Sequence, residues 1–128
     1  MNAMAVSSAI VFSSLKPVFS KVAKHLALRT DTQTEFALVT RSPSPFPQHK
    51  GHPLDFGSLR VGKSYVSLHL MPLYMCPELS ESISPALKKR LQGKTCFHFK
   101  EDPDPDVVAE LKRLAEDGLR QWSARKWI

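Results

Sequence analysis

Eight consecutive residues, Gly57-Ser58-Leu59-Arg60-Val61-Gly62-Lys63-Ser64, match the phosphate-binding pattern G-x-x-x-x-G-K-[ST] at every fixed position. In a working loop of this kind a buried strand leads into the glycines and a helix begins at the Lys-Ser. Backbone N–H groups and the positive helix end then hold the phosphates. Here HPLDF precedes the motif, after a proline-rich stretch, and YVSLHLMP, alternating and ended by proline, follows it. No helix is available to supply the positive end. The segment reads as a hairpin turning at Gly62-Lys63, and no nucleotide P-loop is assigned to Gly57–Ser64.

The next residues with chemical potential are the histidines, cysteines and acids. His49 and His52 stand at H-x-x-H spacing in a proline-rich loop, where no helix aims both rings one way, so they read as loop residues. Strand alternation gives a second grouping. If Val66, Leu68, Phe97 and Phe99 face a core, then Tyr65, Ser67, His69, Cys96 and His98 share the opposite face. With the two strands adjacent, His69, Cys96 and His98 form a candidate site for a soft divalent metal. The acidic run Glu101-Asp102-Pro103-Asp104-Pro105-Asp106 offers carboxylates to hard cations, but it also reads as a helix start, with Asp104 as cap. No Ser/His/Asp or Cys/His spacing points to nucleophilic catalysis, and no cofactor is expected.

These residues need strands and helices to place them. Residues 34–41 (TEFALVTR) read as a strand with Phe36 and Leu38 on one face and Ala37 and Val39 on the other. Residues 42–53 carry too many prolines for a helix or central strand. Residues 56–61 and 64–70 form a hairpin, the second arm alternating with period two. A single helical turn is expected over 78–83. Ser84-Pro85 opens a helix running to Gly93, serine at the cap and proline at the first helical position. Residues 95–100 make a short strand. Asp104-Pro105 opens the last helix, with Val108, Leu111, Leu114 or Ala115, Leu119 and Trp122 as its apolar stripe. At the other end Ser13 or Ser14 caps a first helix whose stripe is Val11, Leu15, Val18, Val22 and Leu26. The resulting class is α+β: an antiparallel sheet of about four or more strands, a central meander with helices on one face, in the order α-β-β-β-α-β-α. Residues 1–11 are read as a tail and 12–128 as one domain.

Composition sets the outer limits. The chain has 128 residues, 42% apolar and 23% charged, which suits one ordinary globular core. Cys76 and Cys96 lack any C-x-x-C spacing and read as reduced thiols, which suggests a cytoplasmic protein. No apolar run approaches the length of a bilayer span, so no membrane partner is expected. The first 30 residues lack acids and contain Lys16, Lys21, Lys24 and Arg29, a pattern resembling a mitochondrial transit peptide; the alternative is the core stripe just described. A net charge of +6 permits attraction to phosphates. Its densest run (Lys88, Lys89, Arg90, Lys94) and the bases near the C-terminus (Arg120, Arg125, Lys126) show no interleaved aromatic platform, which argues against nucleic acid as the first choice.

The stretch K-x-Y-V-S-x-H-L-M-P (Lys63 to Pro72), the helix S-P-x-L-K-K-R-x-Q-G-K (Ser84 to Lys94) and the C-F-x-F strand after it resemble the YdhG-like domains, a bacterial family of unknown function. The likeness extends more weakly over residues 12–125. It implies a small α+β domain with an antiparallel sheet and a turn at Gly62-Lys63. It supplies no catalytic residues. Some relatives are described as frataxin-like iron carriers, and the acids available here for that role are Asp102, Asp104 and Asp106. The expectation is therefore a non-catalytic binding or accessory module. Its candidate ligand site is Tyr65, His69, Tyr74 and Lys94, where the family-like segments bring polar and aromatic groups together. Ordinary sheet packing is the competing account of the first three. The expected partner is a protein, a small ligand or a second copy of the chain, and Trp127 and Ile128 either cover the core or make a dimer contact.

Overall fold

The computed structural model describes residues 3–128, with side chains from residue 8 onward. One antiparallel sheet organises the chain. Its strands are β1 (Ala27–Asp31), β2 (Glu35–Pro43), β3 (Pro53–Val61), β4 (Val66–Leu70), β5 (Leu91–Gln92) and β6 (Cys96–Phe99), in the spatial order β1-β2-β3-β4-β6-β5. The expected α+β class is thus observed, with two strands beyond those read from sequence. Each missing strand has a physical reason. β1 is an edge strand carrying Arg29 and Asp31, so its burial does not alternate, and period-two patterning has nothing to register. Its turn into β2 is set locally: the Thr32 hydroxyl accepts from the N–H groups of Thr34 (3.2 Å) and Glu35 (3.0 Å). β5 arises where a helix was expected. Ser84 caps α4 (Pro85–Lys88), its hydroxyl accepting from Leu87 N–H, but the helix ends after one turn. The free edge of β6 draws the next residues into the sheet, and His98 N–H donates to the Arg90 carbonyl at 2.8 Å. Gly93, at φ +74°, then serves the β5–β6 turn and not a helix stop.

The hairpin expected at Gly62-Lys63 is present. β3 pairs with β4 from Gly57↔Leu70 to Val61↔Val66, and Gly62 N–H donates to the Tyr65 carbonyl at 2.8 Å. Gly57–Ser64 therefore lies along a strand and its turn, with no helix after it. Gly57 is required by packing: a Cβ there would lie 2.5 Å from Cε1 of Phe19, a fully buried ring.

Helices pack on one side of the sheet. Helix α1 (Ala3–Leu15) starts well before the expected cap at Ser13 or Ser14 and runs through most of the segment read as a tail. It stops at Pro17, which has no N–H to donate to the carbonyl four residues back. Short 3₁₀ turns at Lys16–Phe19 and Ala23–His25 carry the chain on. The whole stripe Val11, Leu15, Val18, Val22 and Leu26 is buried all the same. The single turn expected at 78–83 is α3 (Pro77–Glu81), preceded by α2 (Pro72–Met75). Helix α5 (Pro105–Ala124) buries Val107, Leu111, Leu114, Ala115, Gly118 and Trp122, so Val107 replaces Val108 and Gly118 replaces Leu119 in the expected stripe. The reason for Gly118 is close approach: a Cβ would meet Pro72 Cβ at 2.7 Å, so larger residues are excluded from this crossing with α2. Asp104 occupies the N-cap without a side-chain cap bond, contrary to expectation. Trp127 stacks edge-on against Trp122 and Phe46 at centroid distances of 5.7 and 5.3 Å, and with Ile128 it packs against the core.

Candidate functional site

The helices lie on the core side of the sheet; its other face is half-exposed over β3, β4 and β6, while on β2 Ala37 and Val39 of that face are buried. Alternation along β3, β4 and β6 places Ser58 and Arg60, then Ser67 and His69, then Cys96 and His98 on it, and the β-bulge beside Gly57 brings Asp55 to the same face. The register makes them neighbours: Ser67↔His98 and His69↔Cys96 across β4–β6, Ser58↔His69 and Arg60↔Ser67 across β3–β4. Val66, Leu68, Phe97 and Phe99, the other half of the alternation, are buried at 1% exposure or less. The strand adjacency on which the sequence grouping depended is therefore present.

Two clusters result. At one end the Tyr65 and His98 rings are stacked, with centroids 3.9 Å apart and planes 14° from parallel. They are diagonal neighbours across the β4–β6 pair, a separation aromatic side chains can bridge. At the other end His69 Nδ1 lies 3.3 Å from Cys96 Sγ and 3.0 Å from Thr95 Oγ1. Burial pushes the His69 pKa below its ordinary value, and the Asp55 charge opposes that shift in part. His69 is therefore held toward its neutral form, able to share one proton with the thiol and hydroxyl beside it.

Of the three residues proposed for a metal, His69 and Cys96 come together, while His98 is turned onto Tyr65. Among the described residues no group of three or more His, Cys, Asp or Glu side chains converges for a metal ion. That includes the acids at 101–106 and the loop pair His49 and His52. His49 Nδ1 is engaged with Ser44 Oγ at 2.6 Å, a contact internal to its loop.

The four residues of the candidate ligand site divide likewise. Tyr65 and His69 lie on one face but about 13 Å apart along the strand, four residues at ~3.3 Å each. Tyr74 is exposed on α2, and the Lys94 ammonium lies 5.5 Å from its ring centroid. These pairs do not enclose one pocket. Sequence reasoning missed Thr95, whose role at His69 depends on the β4–β6 register, and Arg60 and Lys63, which had been absorbed into the G-x-x-x-x-G-K-S pattern. Arg60, Lys63, Tyr65 and Ser67, with Val61 and Gly62, line a shallow depression of about 550 Å³ at the hairpin end of the face.

No family model, curated protein or solved structure matches this chain. Cys76 is buried and Cys96 half-buried, and both are free thiols. Among the described residues no helix is long and apolar enough to cross a membrane.

Proposed function

We propose that this chain is a non-catalytic binding module of the YdhG-like kind, and that its ligand lies on the half-exposed sheet face over β3, β4 and β6. The observation that carries the reading is the one-sided packing of the helices. It leaves a built, partly ordered polar surface in which Tyr65 is already stacked on His98 and His69 is already bonded to its neighbours. Pre-positioned side chains lose little conformational freedom when a ligand arrives. The two free thiols support a reducing, cytoplasmic setting.

Amide-shift mapping by NMR with a library of aromatic and anionic fragments tests the proposal. Shifts should concentrate on Ser58, Arg60, Tyr65, Ser67, His69, Cys96 and His98. Fragments that bind only over the helices, or only in the separate depression bordered by Gln48, His52 and Met71, would overturn it.

A further inference from the structure

We propose that the occupant of this face is a single-stranded nucleic acid, bound with a phosphate between Arg60 and Lys63 and a base against the Tyr65–His98 pair. The proposal rests on the binding reading above and names its ligand.

The depression at the hairpin end holds what one nucleotide requires: two cations, an aromatic ring and the Ser67 hydroxyl. Arg60 and Lys63 are exposed, and both belong to the G-x-x-x-x-G-K-S segment whose phosphate chemistry the hairpin excludes in its usual form. Tyr65 and His98 stack face to face at 3.9 Å, which covers one face of each ring and holds the Tyr65 ring in the wall of the depression as a platform. Stacking on such a platform tolerates any base, because every base has a π-face.

The charge pattern extends beyond the depression. Lys100, exposed, follows the last residue of β6, two positions after His98. Two acids share this face: Glu35 stands opposite Arg60 in the β2–β3 register, and Asp55 is paired with Arg29 at 3.2 Å. Lys63, two residues before Tyr65, and Lys100, two after His98, are both exposed and thus flank the aromatic pair, as a strand of phosphates needs and a free nucleotide does not. Six strands at ~4.8 Å spacing make a surface about 24 Å wide, enough for several nucleotides side by side. A duplex fits poorly, since nothing on this face stands out as a helix or ribbon to enter a groove.

Fluorescence anisotropy with labelled 12-nucleotide oligo-dT and oligo-rU over a salt series provides the test. Affinity should fall with salt with a logarithmic slope near −2, at ~0.7 per phosphate neutralised by Arg60, Lys63 and Lys100. Lys63→Gln should flatten that slope by about 0.7. Tyr65→Leu should weaken binding about tenfold with the slope unchanged; His98→Ala, which removes the ring that holds Tyr65 in place, serves if Tyr65→Leu does not fold. Absence of binding at 50 mM salt overturns the proposal. So does heparin competing as well as the oligonucleotide with no loss in either aromatic variant, since that is charge attraction alone. A mononucleotide competing as well as the strand means a free-nucleotide site, and a dimer closed through this face in sedimentation leaves the strand no place. If fragments map to the face while oligonucleotides fail, the ligand class is wrong and the binding reading survives; if fragments map elsewhere, both fall.

Discussion

Replacing Gly57 by alanine separates a packing role from a phosphate-binding role at the first position of the G-x-x-x-x-G-K-S segment. The new Cβ would sit 2.5 Å from Phe19 Cε1 and 3.0 Å from Cζ, with the His69 carbonyl oxygen at 3.2 Å on another side. Carbon atoms prefer ~3.5–4.0 Å, so the ring must retreat by about 1 Å. Phe19 has no free volume to retreat into: it is fully buried and lies 6.0 Å, centroid to centroid, from Phe36. Overpacking of this kind costs about 1–3 kcal/mol. Restricting the unfolded chain by removing a glycine returns ~0.4–1 kcal/mol. The net is a destabilisation of about 1–2 kcal/mol, which for a chain of this length lowers Tm by roughly 4–8 °C. Urea unfolding followed by tryptophan fluorescence and by far-UV circular dichroism measures it. Phe19→Leu makes room for the methyl group, so the double variant should be about 1 kcal/mol more stable than the sum of the single changes implies. A Gly57→Ala protein as stable as the parent, or strict additivity with Phe19→Leu, would refute the packing account.

Three further outcomes follow from other contacts. The Glu110 carboxylate, largely buried, accepts from the Ser84 N–H at 2.8 Å and the Ser84 hydroxyl at 2.5 Å, tying the start of α4 to α5; Glu110→Ala should cost about 2 kcal/mol in urea unfolding, and Glu110→Gln distinctly less. His69 has a folded-state pKa below its ordinary 6.5. The unfolded chain therefore takes up that proton first as pH falls. The contribution to stability is full above about pH 6.5 and is lost as pH falls through the folded pKa. Tm should drop more between pH 7.5 and 5.5 in the parent than in His69→Asn, and Asp55→Asn should lower the His69 pKa further in an NMR titration; a pKa above 6.5 would contradict the burial argument. Burial also pushes the Cys76 thiol up, with Arg125 opposing, so a thiol-specific disulfide reagent at pH 8 should titrate one thiol in the native protein, lost in Cys96→Ser, and the second only after unfolding.

The pieces of this fold that were legible in the sequence are those whose signals are local. Period-two alternation in residues 66–70 and 96–99 marked β4 and β6 and sorted their residues correctly between core and open face, because successive side chains of a strand must point to opposite sides. Ser84-Pro85 and Asp104-Pro105 marked two helix starts, because proline tolerates the first turn. The hairpin at Gly62-Lys63 was readable from the strand pattern on either side of it. The stripe from Val11 to Leu26 was readable as core, though the helix supplying it lies earlier than its spacing suggested.

Register, edge pairing and close approach were decided only in three dimensions. Lys89 to Gln92 have good helix propensity, yet the unpaired edge of β6 claims Leu91–Gln92, since a ladder of backbone hydrogen bonds outweighs a few tenths of a kcal/mol of intrinsic preference. Likewise, no pattern in the sequence says that Gly57 and Gly118 stand where other groups come within reach of a Cβ. The grouping of His69, Cys96 and His98 came from alternation alone, which fixes the face a side chain occupies but not which neighbour it meets. The β4–β6 register joined His69 to Cys96 and Thr95 and gave His98 to Tyr65. The sequence by itself thus determined which residues face outward. Which of them act together was settled by the pairing of β4 with β6, where His69 meets Cys96 27 residues away, through long-range contacts that no local propensity encodes.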